Sequence, residues 1–213
     1  YREWAPAAQE MYLTGDFNNW QWLSHPMTNI GNGVWEIFIE GTETLWHGCK
    51  VNTIVKHNDR LLERIPTCAR RVVQDPVTRM FCCEIVDEAP YQWKKKKFTP
   101  AKELFIYECH IGMAQEEGKV GSYEEFRCKI LPRIKALGYN TIQIMAIMEH
   151  PYYGSFGYQV SSFYAVSSKF GTPNELKALI DKAHSLGISV LLDVVHSHAV
   201  KNTAEGINEF DGT

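Results

Sequence analysis

Ile188-Ser-Val-Leu-Leu-Asp-Val-Val-His-Ser-His198 is the stretch whose reading decides the fold. It begins as a short, nearly all-apolar run, the pattern of a strand buried on both faces of a parallel sheet. It ends in Asp193, His196 and His198. Polar groups at the carboxyl end of such a strand line the pocket where α/β proteins bind their ligands. The plainer alternative is that Asp193 caps a following turn and the histidines are merely solvated. An ionisable group beside so apolar a run is costly unless paired or used, which favours the functional reading.

Upstream, the same alternation of strand and helix recurs. Leu104-Phe-Ile-Tyr-Glu-Cys-His-Ile111 and Thr141-Ile-Gln-Ile-Met-Ala-Ile147 are strand-like. Between them Ser122-Tyr-Glu-Glu125 supplies a capping box, and Tyr123, Phe126, Ile130, Ile134 and Leu137 recur at helical spacing. Pro132 should kink or split that helix, and Gly138 should close it. Thr172-Pro-Asn-Glu175 opens a second helix: a cap, a proline in the first turn, a glutamate three on. Leu176, Leu179, Ile180 and Ala183 form its apolar stripe, and Gly187 ends it. Strand, helix, strand, helix, strand implies right-handed crossovers and a parallel sheet. Polar residues then gather at one edge: His110 after the first strand, Glu149 and His150 after the second, Asp193, His196 and His198 after the third. This is the layout of a (β/α)₈ barrel. A doubly wound sheet also fits, but no glycine-rich phosphate loop follows any strand. The long loop after the second strand holds Tyr152, Tyr153, Phe156, Tyr158, Phe163 and Tyr164, a plausible wall for a sugar, although such rings also serve to pack a loop.

Residues 1–95 read differently. Met11–Gly15, Gly33–Ile39, Lys50–Lys56 and Met80–Val86 are strand-length and rich in β-branched or aromatic residues, with turn signals between them. Short strands without a long helical pattern suggest a β-sandwich. Most of Trp4, Trp20, Trp22, Trp35 and Trp46 are expected in its core, with Trp20 or Trp22, after the turn Gly15-Asp-Phe-Asn-Asn19, able to stand at the surface as a sugar platform. Residues 96–103 read as a linker introduced by Lys94–Lys97, whose charges repel and stay solvated, and 104–213 as the start of the barrel.

Composition excludes several classes. A net charge of -3 argues against a dedicated nucleic-acid binder, and no apolar run approaches the roughly 20 residues of a membrane span. Cysteines at 49, 68, 82, 83, 109 and 128, with no Cys-x-x-Cys, read as free thiols in a reducing compartment rather than a disulfide frame or zinc site. Tyr1 opens in mid-strand and Thr213 ends in a loop, so the chain reads as a piece of a longer polypeptide.

These segments together resemble the α-amylase superfamily, and within it the glycogen and starch 1,4-α-glucan branching enzymes of eukaryotic type. Asp193-Val-Val-His-Ser-His198 resembles the first signature region of that superfamily. Ser155-Phe-Gly-Tyr-Gln159, Tyr107-Glu-Cys-His-Ile-Gly112, Leu131-Pro-Arg-Ile-Lys-Ala-Leu-Gly-Tyr-Asn-Thr141, Ala146-Ile-Met-Glu-His150 and Phe170-Gly-Thr-Pro173 are similar to branching-enzyme segments. So are Arg2-Glu-Trp-Ala-Pro6 and Thr14-Gly-Asp-Phe-Asn-Asn-Trp20. Cys49 and Cys68 depart from the family pattern, away from the expected site.

The resemblance implies an immunoglobulin-like, glucan-binding sandwich ahead of a (β/α)₈ catalytic barrel, of which only the first three βα units are present. It implies that Tyr158 stacks on the sugar at the cleavage site, that Asp193 and His198 bond its hydroxyls, and that Gln159 lines the same subsite. Trp4 and Trp20 are the expected surface glucan contacts. The partner implied is an α-glucan (glycogen, amylose or amylopectin), with no nucleic acid, membrane, metal or cofactor, in the cytoplasm or a plastid. The family's catalytic carboxylates sit on later strands, so none is expected in this chain. Two rival readings stand beside this one. Asp193, His196 and His198 could form a metal cluster in a barrel hydrolase, or the tryptophan-bearing module could serve a glucan-binding protein without catalysis.

Overall fold

The structure, a computed structural model, describes all of residues 1–213. The chain forms two compact units, one of Tyr1–Glu88, Val160–Ala165 and His198–Thr213, the other of Ala89–Gln159 and Val166–Ser197. The second unit thus begins ahead of the linker read at 96–103, and the last sixteen residues return to the first unit.

The first unit holds β1 (Arg2–Trp4), β2 (Glu10–Gly15), β3 (Thr28–Gly31), β4 (Val34–Glu36), β5 (Lys50–His57), β6 (Arg60–Arg64), β7 (Val72–Gln74) and β8 (Phe81–Glu84). They form two antiparallel sheets, one ordered β1-β4-β3, the other β2-β5-β8-β7 with β6 on β5. The β5–β6 turn falls on Asn58, in the left-handed region at φ 53°, which asparagine tolerates better than most residues. The sheets meet through Ala5, Met11, Met27, Trp35, Val55 and Phe210. Only Trp35 of the five tryptophans expected mostly inside is buried, at 6% exposure, its indole N–H donating to Ala5 O. Trp4 is 65% exposed and Trp22 and Trp46 are exposed, while Trp20 is half-buried. The expectation of a tryptophan-rich core is therefore corrected. Met11 and Leu13 of β2, Val51 and Val55 of β5 and Phe81 and Cys83 of β8 fill the centre beside that one indole.

Residues 198–213 are tied to this unit by Arg64. Its guanidinium, 2% exposed, donates to the carbonyls of Gly206 and Asn208 and lies 5.5 Å from the centre of the Phe210 ring. Burial pulls its pKa down to about 10, with Glu209 opposing. Asp211 adds an acceptor for the Ala7 N–H at 2.9 Å.

The second unit contains β9 (Ile106–Cys109), α1 (Tyr123–Glu125), α2 (Leu131–Ala136), β10 (Thr141–Ile144), β11 (Met148–Glu149), α3 (Pro173–Ser185) and β13 (Ser189–Leu192); β12 (Ser162–Val166) runs across the division between the units. Strands β9, β10 and β13 form a parallel sheet in the order β13-β10-β9. Ser122 and Thr172 cap α1 and α3, each in a complete capping box. Proline 132 has the expected effect: having no N–H to donate, it leaves Phe126–Ile130 as a π-turn, with the Leu131 N–H reaching back to Phe126 O. Tyr107, Cys109, Ile142, Ile144 and Val190 pack one face of the sheet against Tyr123, Phe126, Ile134, Leu176 and Leu179. The other face is open. Leu191 on that face is 39% exposed, and Leu192, on the helix side at the end of the strand, is 44% exposed, so the expectation of a strand buried on both faces is corrected: β13 has a neighbour on one side only.

Candidate functional site

The carboxyl ends of these strands carry the candidate chemistry. Register places Glu108, Gln143 and Leu191 level with one another, and Gln143 donates to Glu108 at 3.1 Å. Residues two apart on a strand share a face. Asp193 therefore continues the face of Leu191, away from the helices, and its N–H extends the ladder to Ile144 O at 3.0 Å.

The loop after β11 delivers the partner. Tyr152–Phe156 form a tight turn, with Phe156 left-handed at φ 54°. Gly157 follows at φ 92°, where an added Cβ would meet Ala146 O at 1.8 Å. Only glycine passes this point, and it sets Tyr158 on its course. The Tyr158 hydroxyl donates to Asp193 Oδ2 at 2.7 Å. That bond, with burial and the nearby charges of Asp193 and Glu108, pushes the phenol pKa up to about 12. Tyr158 therefore remains a neutral donor across the physiological range and holds the Asp193 carboxylate in one orientation. An anchored carboxylate beside an aromatic ring at an open strand end suits a polyhydroxylated ligand, with charge-assisted bonds to hydroxyls and apolar contact on the ring.

Of the four expected substrate contacts, the structure joins Tyr158 and Asp193. Gln159 is exposed. His198 is exposed and groups with the first unit, as Asp193 does not. In that first unit, the Trp4 indole N–H donates to Asn32 O at 3.2 Å, and the Trp20 N–H donates to Asp16 Oδ1 at 3.0 Å. The Gly-Asp-Phe-Asn turn is held by buried Asn18, which accepts from the Gly15 N–H and donates to Gln21 O. Both expected surface rings are thus fixed in place by their own N–H groups.

The other strand-end polar residues do not line an open pocket, contrary to the sequence expectation. His110, Glu149 and His150 are 7%, 0% and 0% exposed. His110 sits among Tyr153, Phe156 and Phe170 at ring separations of 5.3–5.9 Å, with both nitrogens unpartnered. Burial lowers its pKa and that of His150, whose Nδ1 lies 2.9 Å from Met148 O. Glu149 accepts from the His150 and Ser168 N–H groups, and burial raises its pKa. These three groups fasten the loop base. No group of three His, Cys, Asp or Glu side chains is arranged to hold a metal ion, which removes the support for the metal-cluster reading of Asp193, His196 and His198.

Known proteins resemble the chain in both of its parts. Residues 1–77 match the model of carbohydrate-binding module 48, the isoamylase N-terminal domain, and residues 128–209 match the catalytic domain of alpha amylase. The chain is thus similar to the α-amylase superfamily, in its first part to a carbohydrate-binding module 48 and further on to a segment of the catalytic domain. Over its whole length it is 49% identical to the 1,4-alpha-glucan-branching enzyme of Yarrowia lipolytica and 48% identical to that of Equus caballus. It spans about a third of those relatives, 32% and 31% of their lengths. Among solved structures, a candidate alpha amylase from Salmonella typhimurium aligns at a TM-score of 0.79 with 25% identity, over 99% of this chain and 32% of that one. The pullulanase of Bacillus acidopullulyticus shares the fold at a TM-score of 0.74 and 21% identity, over 93% of this chain and 28% of that one. Gly157 is a position that the sequence reading did not single out, and a glycine inside an aromatic loop was its only available signal.

Proposed function

We propose that this chain is part of a 1,4-α-glucan branching enzyme, which cleaves an α-1,4-glucan and transfers the freed chain to a 6-hydroxyl. The observation that carries the reading is the Tyr158–Asp193 hydrogen bond at 2.7 Å. It presents a carboxylate and a ring face at the end of a parallel strand, in a chain about half identical to branching enzymes throughout. In this reading the three parallel strands begin a (β/α)₈ barrel. The phenol ring of Tyr158 lies against a glucose unit, Asp193 and His198 grip its hydroxyls, and Gln159 lines the same subsite. Trp4 and Trp20 hold glucan on the sandwich. Chemistry proceeds by double displacement on two carboxylates of later strands, about 5–5.5 Å apart as in retaining enzymes. The covalent chain then passes to a sugar hydroxyl in place of water.

The test uses the full-length protein on amylose. New α-1,6 linkages, read by proton NMR, should appear without a matching rise in reducing ends. Asp193→Ala should lower kcat/KM by at least ~100-fold, about 2.7 kcal/mol of transition-state stabilisation. Reducing ends without new branches, or full activity in Asp193→Ala, refutes the reading.

A further inference from the structure

Residues 91–98, which span the expected end of the sandwich at 95 and the start of the linker expected at 96–103, are held in a fixed conformation within the second unit. Asp181, on the last turns of α3 and 3% exposed, is what holds them. Its carboxylate accepts the backbone N–H of Lys94 and of Lys95, each at 2.8 Å, and the Tyr91 hydroxyl at 3.1 Å. Phe98 lies flat on His184, with centroids 4.2 Å apart and planes at 9°. Tyr91 meets Trp93 edge to face at 5.1 Å. Tyr91, Trp93, Phe98 and His184 border a hollow of about 540 Å³, to which Lys95 and Lys96 add ammonium groups. Trp93 is 41% exposed although its backbone neighbours are fixed. An indole in water is an unfavourable use of apolar surface unless something covers it.

We propose that this hollow is a second α-glucan-binding site, in which a glucose ring lies on Trp93 and the Lys95 and Lys96 ammonium groups donate to its hydroxyls. The choice of ligand rests on the branching-enzyme reading; the existence of a site rests on the geometry. Flat rings beside hydrogen-bond donors, on a segment ordered before binding, are what a sugar chain needs, and prior ordering removes much of the entropic cost. Lysines with aromatic rings also suit single-stranded nucleic acid, but the chain's net charge of -3 disfavours a polyanion. The hollow is separate from the Tyr158–Asp193 pair. His184 of the hollow precedes the start of β13, whereas Asp193 follows its end, about 13 Å further along the strand. A glucan polymer can engage both places, so a weak contact here raises the local concentration of chain ends.

The test uses the full-length protein labelled with 5-fluorotryptophan, the Trp93 resonance being assigned from Trp93→Phe. Titration with maltoheptaose should shift that resonance saturably. Lys95→Gln combined with Lys96→Gln should weaken the response at least ~10-fold, and Trp93→Ala should raise KM for amylose more than KM for short maltodextrins. If Trp93→Ala does not fold, the lysine pair carries the test. A protein that branches amylose while its Trp93 resonance stays still at saturating maltoheptaose overturns this site alone. Absence of both branching and the shift overturns this site together with the functional reading. A shift with oligothymidylate and none with maltoheptaose overturns the glucan assignment in favour of nucleic acid.

Discussion

Replacing Gly157 with alanine should uncouple Tyr158 from Asp193. Gly157 sits at φ 92°, and its new Cβ would lie 1.8 Å from Ala146 O and 2.7 Å from Ala146 C. Relief needs a backbone movement of about 1.5 Å to restore van der Waals contact. The Tyr158–Asp193 bond of 2.7 Å does not survive such a movement. Losing it should return the phenol from about 12 toward its ordinary value near 10. Two pKa units correspond to about 2.7 kcal/mol between protonation states, but water reaches this strand end and screens the pair, leaving about 1 kcal/mol of stability. Left-handed strain on alanine adds about 1–2 kcal/mol. The expected loss is therefore ~2–3 kcal/mol in urea unfolding at neutral pH. Because the folded pKa is raised, the stability contributed by Tyr158 is complete below pH 10 and disappears as pH climbs through about 12. Ring-labelled tyrosine NMR gives the direct reading. At pH 11, Tyr158 should be about one-tenth ionised in the unaltered protein and about nine-tenths ionised in the variant. A variant that unfolds at the same urea concentration, with Tyr158 still un-ionised at pH 11, refutes the role given to Gly157.

Three further outcomes follow from the packing. Burial lowers the pKa of His110, His150 and His184, so each resists a proton that the unfolded chain accepts; stability should fall as pH drops below about 6.5, with buried Glu149, whose pKa is raised, opposing the trend. In His110→Leu, which removes two unpartnered nitrogens, the melting temperature should hold at pH 7.5 and the acid sensitivity should diminish; a sharp loss at pH 7.5 would mean that His110 is bonded. Arg64→Met should cost about 3 kcal/mol, from two charge-assisted bonds and the Phe210 contact, and should open residues 198–213 to limited proteolysis; unchanged resistance would show that another contact holds the segment. Trp35→Ala should cost about 3–5 kcal/mol while Trp4→Ala stays within about 0.5 kcal/mol, and comparable losses in thermal melts would contradict the burial of one indole and the exposure of the other.

What the sequence disclosed was local. Thr172-Pro-Asn-Glu175 names its own helix start because the cap, the proline and the glutamate all act within one turn, and Pro132 disrupts its helix for an equally local reason. The strand cores were readable from their apolar runs, and Asp193 was a candidate because a carboxylate beside such a run requires a partner. The identity of that partner was not readable from spacing, since Tyr158 lies thirty-five residues earlier and reaches Asp193 through the backbone turn at Gly157. Neither Arg64, in a strand, nor Asp181, in a helix, carries a local sequence signal of burial. Each is buried because backbone groups distant in the chain come to it. His110 and His150 misled in the opposite sense, since a histidine at a strand end has the same signature whether it faces a pocket or a cage of rings.

The placement of Asp193 follows from sheet register rather than from any preference of the aspartate. Ile142 and Ile144 are fully buried against the helices, and β9 and β13 align with β10 residue for residue. The apolar side of β10 thus dictates which residues of its neighbours face away from the helices. A slip of one residue in β13 would turn Asp193 into the helix layer, where an unpaired carboxylate would cost several kcal/mol, and would turn Val190 outward. Helix packing therefore enforces the same register that the candidate site requires. The polar cluster of Glu108, Gln143 and Asp193 can then occupy an open face without weakening the core, because the residues between them on the strands bury the other side. Stability resides on one face of the sheet and the proposed chemistry on the other.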